Sequence, residues 1–69
     1  MEIPQEYKQR LMDALGDSPT LQQAIALGSG QLTYHLSEAM RARKDNPVAL
    51  RMVKELYDDL QDMVTTGEI

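Results

Sequence analysis

The chain contains no cysteine, no tryptophan and no phenylalanine, and it carries a single histidine. Without cysteine there is neither a disulfide nor a zinc–thiolate site, which fits a reducing compartment. One histidine, His35, cannot build a histidine cluster, so the sequence predicts no metal site and no cofactor. Uninterrupted apolar stretches are short as well. The longest is the four residues Ala24 to Leu27, far below the ~20 that a bilayer-spanning helix needs. The opening residues MEIPQEYKQR have neither the basic start nor the apolar stretch of a signal peptide. Together these absences predict a cytoplasmic protein with no membrane partner.

Length is the next constraint. Sixty-nine residues make one domain, residues 1–69. A chain of this size buries only ~60% of the surface it exposes when unfolded, so its stability is marginal. With disulfides and metals set aside, the remaining sources of stability are efficient helix packing, self-association or a partner protein.

Charge is scarce in one sign and uneven along the chain. The formal net charge is −4, whereas domains that hold nucleic acid by its phosphates are usually basic. The distribution is more informative than the sum. Five of the seven cations, Arg41, Arg43, Lys44, Arg51 and Lys54, fall between residues 41 and 54, a window with one acid, Asp45. From Glu55 onward there are five acids and no cation. The chain has a basic middle and an acidic end.

Apolar residues recur with a helical period throughout, and no stretch alternates with the period of a strand. Tyr7, Leu11, Ala14 and Leu15 mark a first helix over about 4–15, with Pro4 suited to its first turn and Gly16 as a stop. Asp17-Ser18-Pro19-Thr20 is a helix-start signal, with Ser18 as cap or Thr20 with Gln23 as a capping box. It opens a second helix over 19–27, in which Leu21, Ala24 and Ile25 share a face. Gly28 and Gly30 surround Ser29 and predict a sharp turn, with Ser29 as cap for a third helix over 30–44. There Leu32, Leu36, Ala39 and Met40 form the apolar stripe. His35 and Ala42 lie at its edge, and Arg43 lays its stem over the core with its head in water.

Asp45-Asn46-Pro47 repeats the cap-then-proline signal and opens a fourth helix over 47–65, followed by a frayed tail at 66–69. Ala49, Val53, Leu56, Leu60 and Met63 step by four, three, four and three, a heptad seam. Leu50, Met52, Tyr57 and Val64 widen it to an arc of roughly 160°, more than one neighbouring helix covers. Leu50, Met52, Val53, Leu56, Tyr57, Leu60 and Met63 are therefore the candidate interface with a second copy or a protein partner. The fold class that follows is all-α: four helices, no strands, and a central pair built from residues 18–44.

Within that pair, LQQAIALGSGQLTYHL (Leu21 to Leu36) resembles the helix-turn-helix of bacterial and phage repressors. Leu21, Leu27, Leu32 and Leu36 match its core positions, and TYHL is similar to repressors of the arsenical type. Gln22 stands where that family places a small alanine, and Ala26 where it places glycine. No strand pair follows to make a wing. The resemblance covers sixteen of the sixty-nine residues. It implies a small DNA-binding regulator of phage or bacterial type in which Gln31, Thr33, Tyr34, Ser37 and Arg41 face DNA and Lys44 meets a phosphate.

Other constellations point nowhere so specific. His35 beside Tyr34 lacks the nucleophile or second titrating group that acid–base chemistry needs, and no serine has an oxyanion signal, so no enzyme and no small-molecule substrate is expected. Asp58, Asp59 and Asp62 lack the turn glycine and alternating ligands of a calcium loop and suit a solvated helix face. Met12, Met40, Met52 and Met63 fall on or beside apolar stripes, where methionine fills gaps. The contrasting expectation is an acidic helical adaptor or inhibitor that binds a protein through the fourth helix and never touches DNA.

Overall fold

A computed structural model describes residues 3–69 of the chain. Four helices follow one another: α1 (Gln5–Leu15), α2 (Pro19–Leu27), α3 (Ser29–Ala42) and α4 (Pro47–Thr66). Among the described residues there is no strand, as the absence of any two-residue alternation predicts. No described helix is long and apolar enough to cross a membrane.

The boundaries have local causes. The Ser18 hydroxyl accepts the Leu21 N–H at 3.1 Å and Pro19 takes the first helical position, so α2 starts where the sequence signals it. The Thr20–Gln23 capping box is not formed. Asn46 repeats the device for α4, its Oδ1 accepting the Ala49 N–H at 3.2 Å. Between α2 and α3 the chain turns on Gly28 alone, at φ 112° and ψ −178°. That conformation is essentially closed to residues with a Cβ, while the space around Gly28 is open. Glycine stands there for backbone reasons, not for room. Ser29 is already helical and caps nothing; Gly28 is the preceding residue and has no side chain to offer.

The end of α4 differs from the frayed tail expected at 66–69. The helix runs to Thr66, and Gly67 turns left-handed at φ 81°. The Gly67 N–H reaches the Val64 carbonyl at 3.3 Å and the Glu68 N–H the Met63 carbonyl at 2.9 Å. Those two bonds make a Schellman stop. Ile69 is thereby returned to the core, against which it packs half-buried.

The core is built around α3, which packs against α2 on one side and α4 on the other, while α1 closes over α4. Leu11, Leu21, Leu32, Leu36 and Leu60 are completely enclosed, with Val53, Leu56, Tyr7, Ala24 and Ile3 beside them. Ile3 lies ahead of Pro4 and outside the helix. It nevertheless falls four residues before Tyr7 and eight before Leu11, and so continues their buried face.

α1 is held to α4 by two polar contacts at one place, with a third contact inside α1 beside them. The Tyr7 hydroxyl donates to the Leu56 carbonyl of α4. Arg10 pairs with Asp59 at 2.7 Å and lies over the Tyr7 ring at 5.8 Å. Burial, then the Asp59 carboxylate, pushes the Tyr7 phenol well above its ordinary value, and Arg10 only partly opposes this.

Two predictions follow from this packing. Leu36→Ala should cost ~2–5 kcal/mol by urea denaturation, comparable with the whole stability of so small a domain. In the folded state Tyr7 stays protonated while the unfolded chain ionises above its ordinary pKa of 10.0. The stability it contributes is thus full below that pH and is lost as pH rises toward the folded value. Tyr7→Phe should cost about 1 kcal/mol near neutrality. It should also flatten the fall of the urea midpoint between about pH 9 and about pH 11.

Candidate nucleic-acid interface

α3 has two sides occupied by neighbours and one that is not. Leu32 and Leu36 point inward, and His35 and Ala39 turn toward α2 and stay half-buried. Thr33, Ser37 and Met40 are spaced four and three apart and lie half-buried. Thr33 marks this as the α4 side, because its Oγ1 accepts a hydrogen bond from Gln61 Nε2 at 3.0 Å. What remains is an outward strip of Gln31, Tyr34, Glu38 and Arg41, all exposed, with Tyr34 61% exposed.

The residues expected to face DNA therefore divide. Gln31, Tyr34, Arg41 and Lys44 lie exposed together along the strip and just beyond its end. Thr33 is taken up by the α3–α4 seam, and Ser37, one turn further on, is half-buried on the same side. The physical reason is that α4 packs further round α3 than the inward leucines indicate. Glu38 sits within the strip and was not among the expected contacts. It lies 3.8 Å from Arg41, which softens that cation.

A groove of roughly 570 Å³ runs between α2 and α3, with Leu27, Gln31, Tyr34, His35, Glu38 and Arg43 among its walls. Leu27, expected at a core position, is instead 64% exposed at its rim, because it is the last residue of α2 and only Leu21 and Ala24 of that helix are buried. Ala24 is the small buried residue on the α2 wall. Gln22, the large residue at a position where the repressors have alanine, instead faces α1 and bonds Asp17 at 2.9 Å. The Arg43 head does not reach freely into water: its Nη1 donates to the Ala39 carbonyl at 3.1 Å, closing the end of α3. A single residue, Gly28, links the two helices, where helix-turn-helix pairs commonly use three or four.

Charge is segregated along the molecule. Arg41 and Lys44 lie at the α3–α4 turn, and Lys44 makes no ion pair among the described residues. Lys54 is matched by Asp58 at 3.0 Å. Of the other α4 acids, Glu55 stands mid-helix beside Met52, while Asp59 pairs with Arg10 and Asp62 lines a hollow with Glu6 and Glu68 toward the other end. α4 is twenty residues long, about 30 Å, so these two regions are well separated. Among the described residues, no three His, Asp or Glu side chains come together in a metal-holding group.

The candidate interface on α4 is rearranged more. Val53, Leu56 and Leu60 belong to the chain's own core and are closed to any partner. Leu50, Tyr57 and Met63 are half-buried, and only Met52 is exposed, at 49%. Most of the wide apolar arc is covered, by α3 and by α1 rather than by one neighbour, while Met52 and Val64 at its edges stay exposed. The most exposed apolar residue of α4 is Val48, at 74%. Val48 stands off the heptad seam, so the seam spacing does not point to it.

No protein-family model matches the chain, and no curated protein or solved structure matches it.

The division of α3 is open to measurement. Tyr34→Ala and Gln31→Ala should leave stability within about 0.5 kcal/mol of wild type. Thr33→Ala and Gln61→Ala should each cost roughly 0.5–1.5 kcal/mol. Their double variant should cost less than the sum, because both remove one hydrogen bond.

Proposed function

We propose that this chain is a small DNA-binding regulator of helix-turn-helix type that offers the outward strip of α3 to the major groove. The observation that carries the reading is the state of that strip. It is polar, unused by the core, and ends at the cations Arg41 and Lys44, while Asp59 and Asp62 are held at the α1 side of α4. Gln31 and Tyr34 near the start of α3 are placed where such helices meet base edges. Glu38 suits the amino group of a cytosine. Arg41 and Lys44 supply phosphate contacts at the far end. A reducing cytoplasm is the setting that a cysteine-free chain of this kind suits.

With so few cations on the surface, affinity is modest and the salt slope is about −2 per protomer, one unit for each of the two phosphate contacts. The alternative reading, an acidic helical adaptor or inhibitor, draws on the α2–α3 groove more than on α4. Leu27 and Tyr34 leave apolar area in water at its rim, as a protein ligand's side chain would use.

Fluorescence anisotropy with mixed-sequence DNA from low to moderate salt tests the choice. Lys44→Ala should weaken binding to all sequences alike and lower the salt slope by about one. Gln31→Ala should cost ~1–3 kcal/mol at a selected site and little on random DNA. No binding at about 50 mM salt, where phosphate contacts are still strong, rejects the DNA reading in favour of the adaptor.

A further inference from the structure

The outward side of α4 holds an apolar strip that the fold does not use. Val48 is 74% and Met52 49% exposed, one turn apart. Met52 separates two shallow hollows of about 350 and about 210 Å³. The first is lined by Pro47, Val48 and Arg51, the second by Arg10, Asp13 and Ala14 where α1 rides on α4, and Glu55 borders both. Val48 and Met52 are thus knobs standing beside vacant holes on one surface.

The charges beside the strip decide what fits it. Arg51 and Glu55 are both exposed and are spaced i,i+4, yet neither enters an ion pair among the described residues. Arginine placed before glutamate is the less favourable order for pairing within one helix. The neighbouring charges are differently placed: Lys54 is matched by Asp58, and Asp59 by Arg10. One unmatched positive and one unmatched negative group therefore flank the apolar residues. A surface that carries its own counter-charge is complementary to itself.

We propose that this strip binds a second copy of the chain, the two α4 helices lying antiparallel about a twofold axis level with Met52 and Val53. In that arrangement Met52 meets Met52 of the second copy at the axis. Val48 enters the hollow beside Glu55 of the second copy. Arg51 comes to nearly the same height as Glu55 of the second copy, since a helix rises about 1.5 Å per residue. Each copy so donates one cation and receives one, giving two symmetric ion pairs around an apolar centre. The contact is small, below the ~1,200 Å² of stable interfaces, and its dimer is a weak, reversible one. It differs from a dimer through the heptad seam, which is closed because Val53, Leu56 and Leu60 fill the chain's own core. The proposal stands apart from the DNA reading, because its test involves the protein alone.

Sedimentation equilibrium from roughly 0.02 to 2 mM protein, a range suited to a small interface, is the measurement. Wild type should show a monomer–dimer equilibrium. Arg51→Glu and Glu55→Arg each place like charges across the axis, and each should raise the dissociation constant about tenfold or more. Mixed in equal amounts, the two variants restore both ion pairs between unlike chains, and dimer should return at wild-type concentrations. Met52→Ala should weaken association as well. All these positions are exposed, and circular dichroism of each variant should match wild type. Wild type that is monomeric throughout overturns the proposal. So do single variants that associate like wild type, and a mixture that stays monomeric.

Discussion

The packing of α3 against α4 is the contact on which the rest of the structure depends. Among the described residues, Leu32 and Leu36 from one helix, with Val53, Leu56 and Leu60 from the other, are half of the ten buried apolar residues. A chain of this length without disulfides has no other large source of stability. The remaining helices are placed by what this pair leaves uncovered. α2 lies on the free side of α3 through Leu21 and Ala24, and α1 lies on the free side of α4 through Tyr7 and Leu11.

Covering α4 from two sides has consequences for function. It removes most of the heptad seam from the surface and leaves Val48, Met52 and Val64 as the exposed apolar residues of α4. It also leaves one strip of α3 untouched, because α2 and α4 take the other sides. A short helix held on two sides by neighbours is a rigid carrier for whatever its third side presents. Here that side presents Gln31, Tyr34, Glu38 and Arg41. The same packing turns Thr33 toward α4, where its hydroxyl accepts from Gln61, and leaves Ser37 half-buried one turn further on.

Electrostatics follows the chain order more than the fold. Basic and acidic residues lie in separate stretches of sequence, and an α4 of twenty residues keeps its first and last turns far apart. The result is a molecule that is negative overall but positive at the α3–α4 turn. Asp59 is the exception that needs a tertiary contact. Its pairing with Arg10 places a carboxylate beside Tyr7, whose buried hydroxyl is already tied to the Leu56 carbonyl. A cation, an anion and a phenol thus fasten α1 at one point.

By itself, the sequence determined the number of helices, their class and most of their boundaries. These depend on interactions within a few residues: Ser18 and Asn46 as caps, Pro19 and Pro47 as first helical residues, Gly16 and Gly28 as breaks. It also placed Leu11, Leu21, Leu32 and Leu36 inside, because they repeat at helical spacing whatever they pack against, but it put Leu27 at a core position where the structure leaves it 64% exposed. Tertiary structure alone decided how wide each buried face is. A helical wheel ranks directions but does not say how many neighbours a helix has. So Thr33 and Ser37 looked like surface, and Val53, Leu56 and Leu60 looked available to a partner. Ile69 lies outside the periodic segments, and only its packing against the core shows its place. The capped turn at Gly67 is different, since its two bonds join residues close in sequence and a glycine after a helix is itself a local stop signal. The Arg10–Asp59 pair joins groups whose meeting is set by long-range packing, which no local spacing encodes.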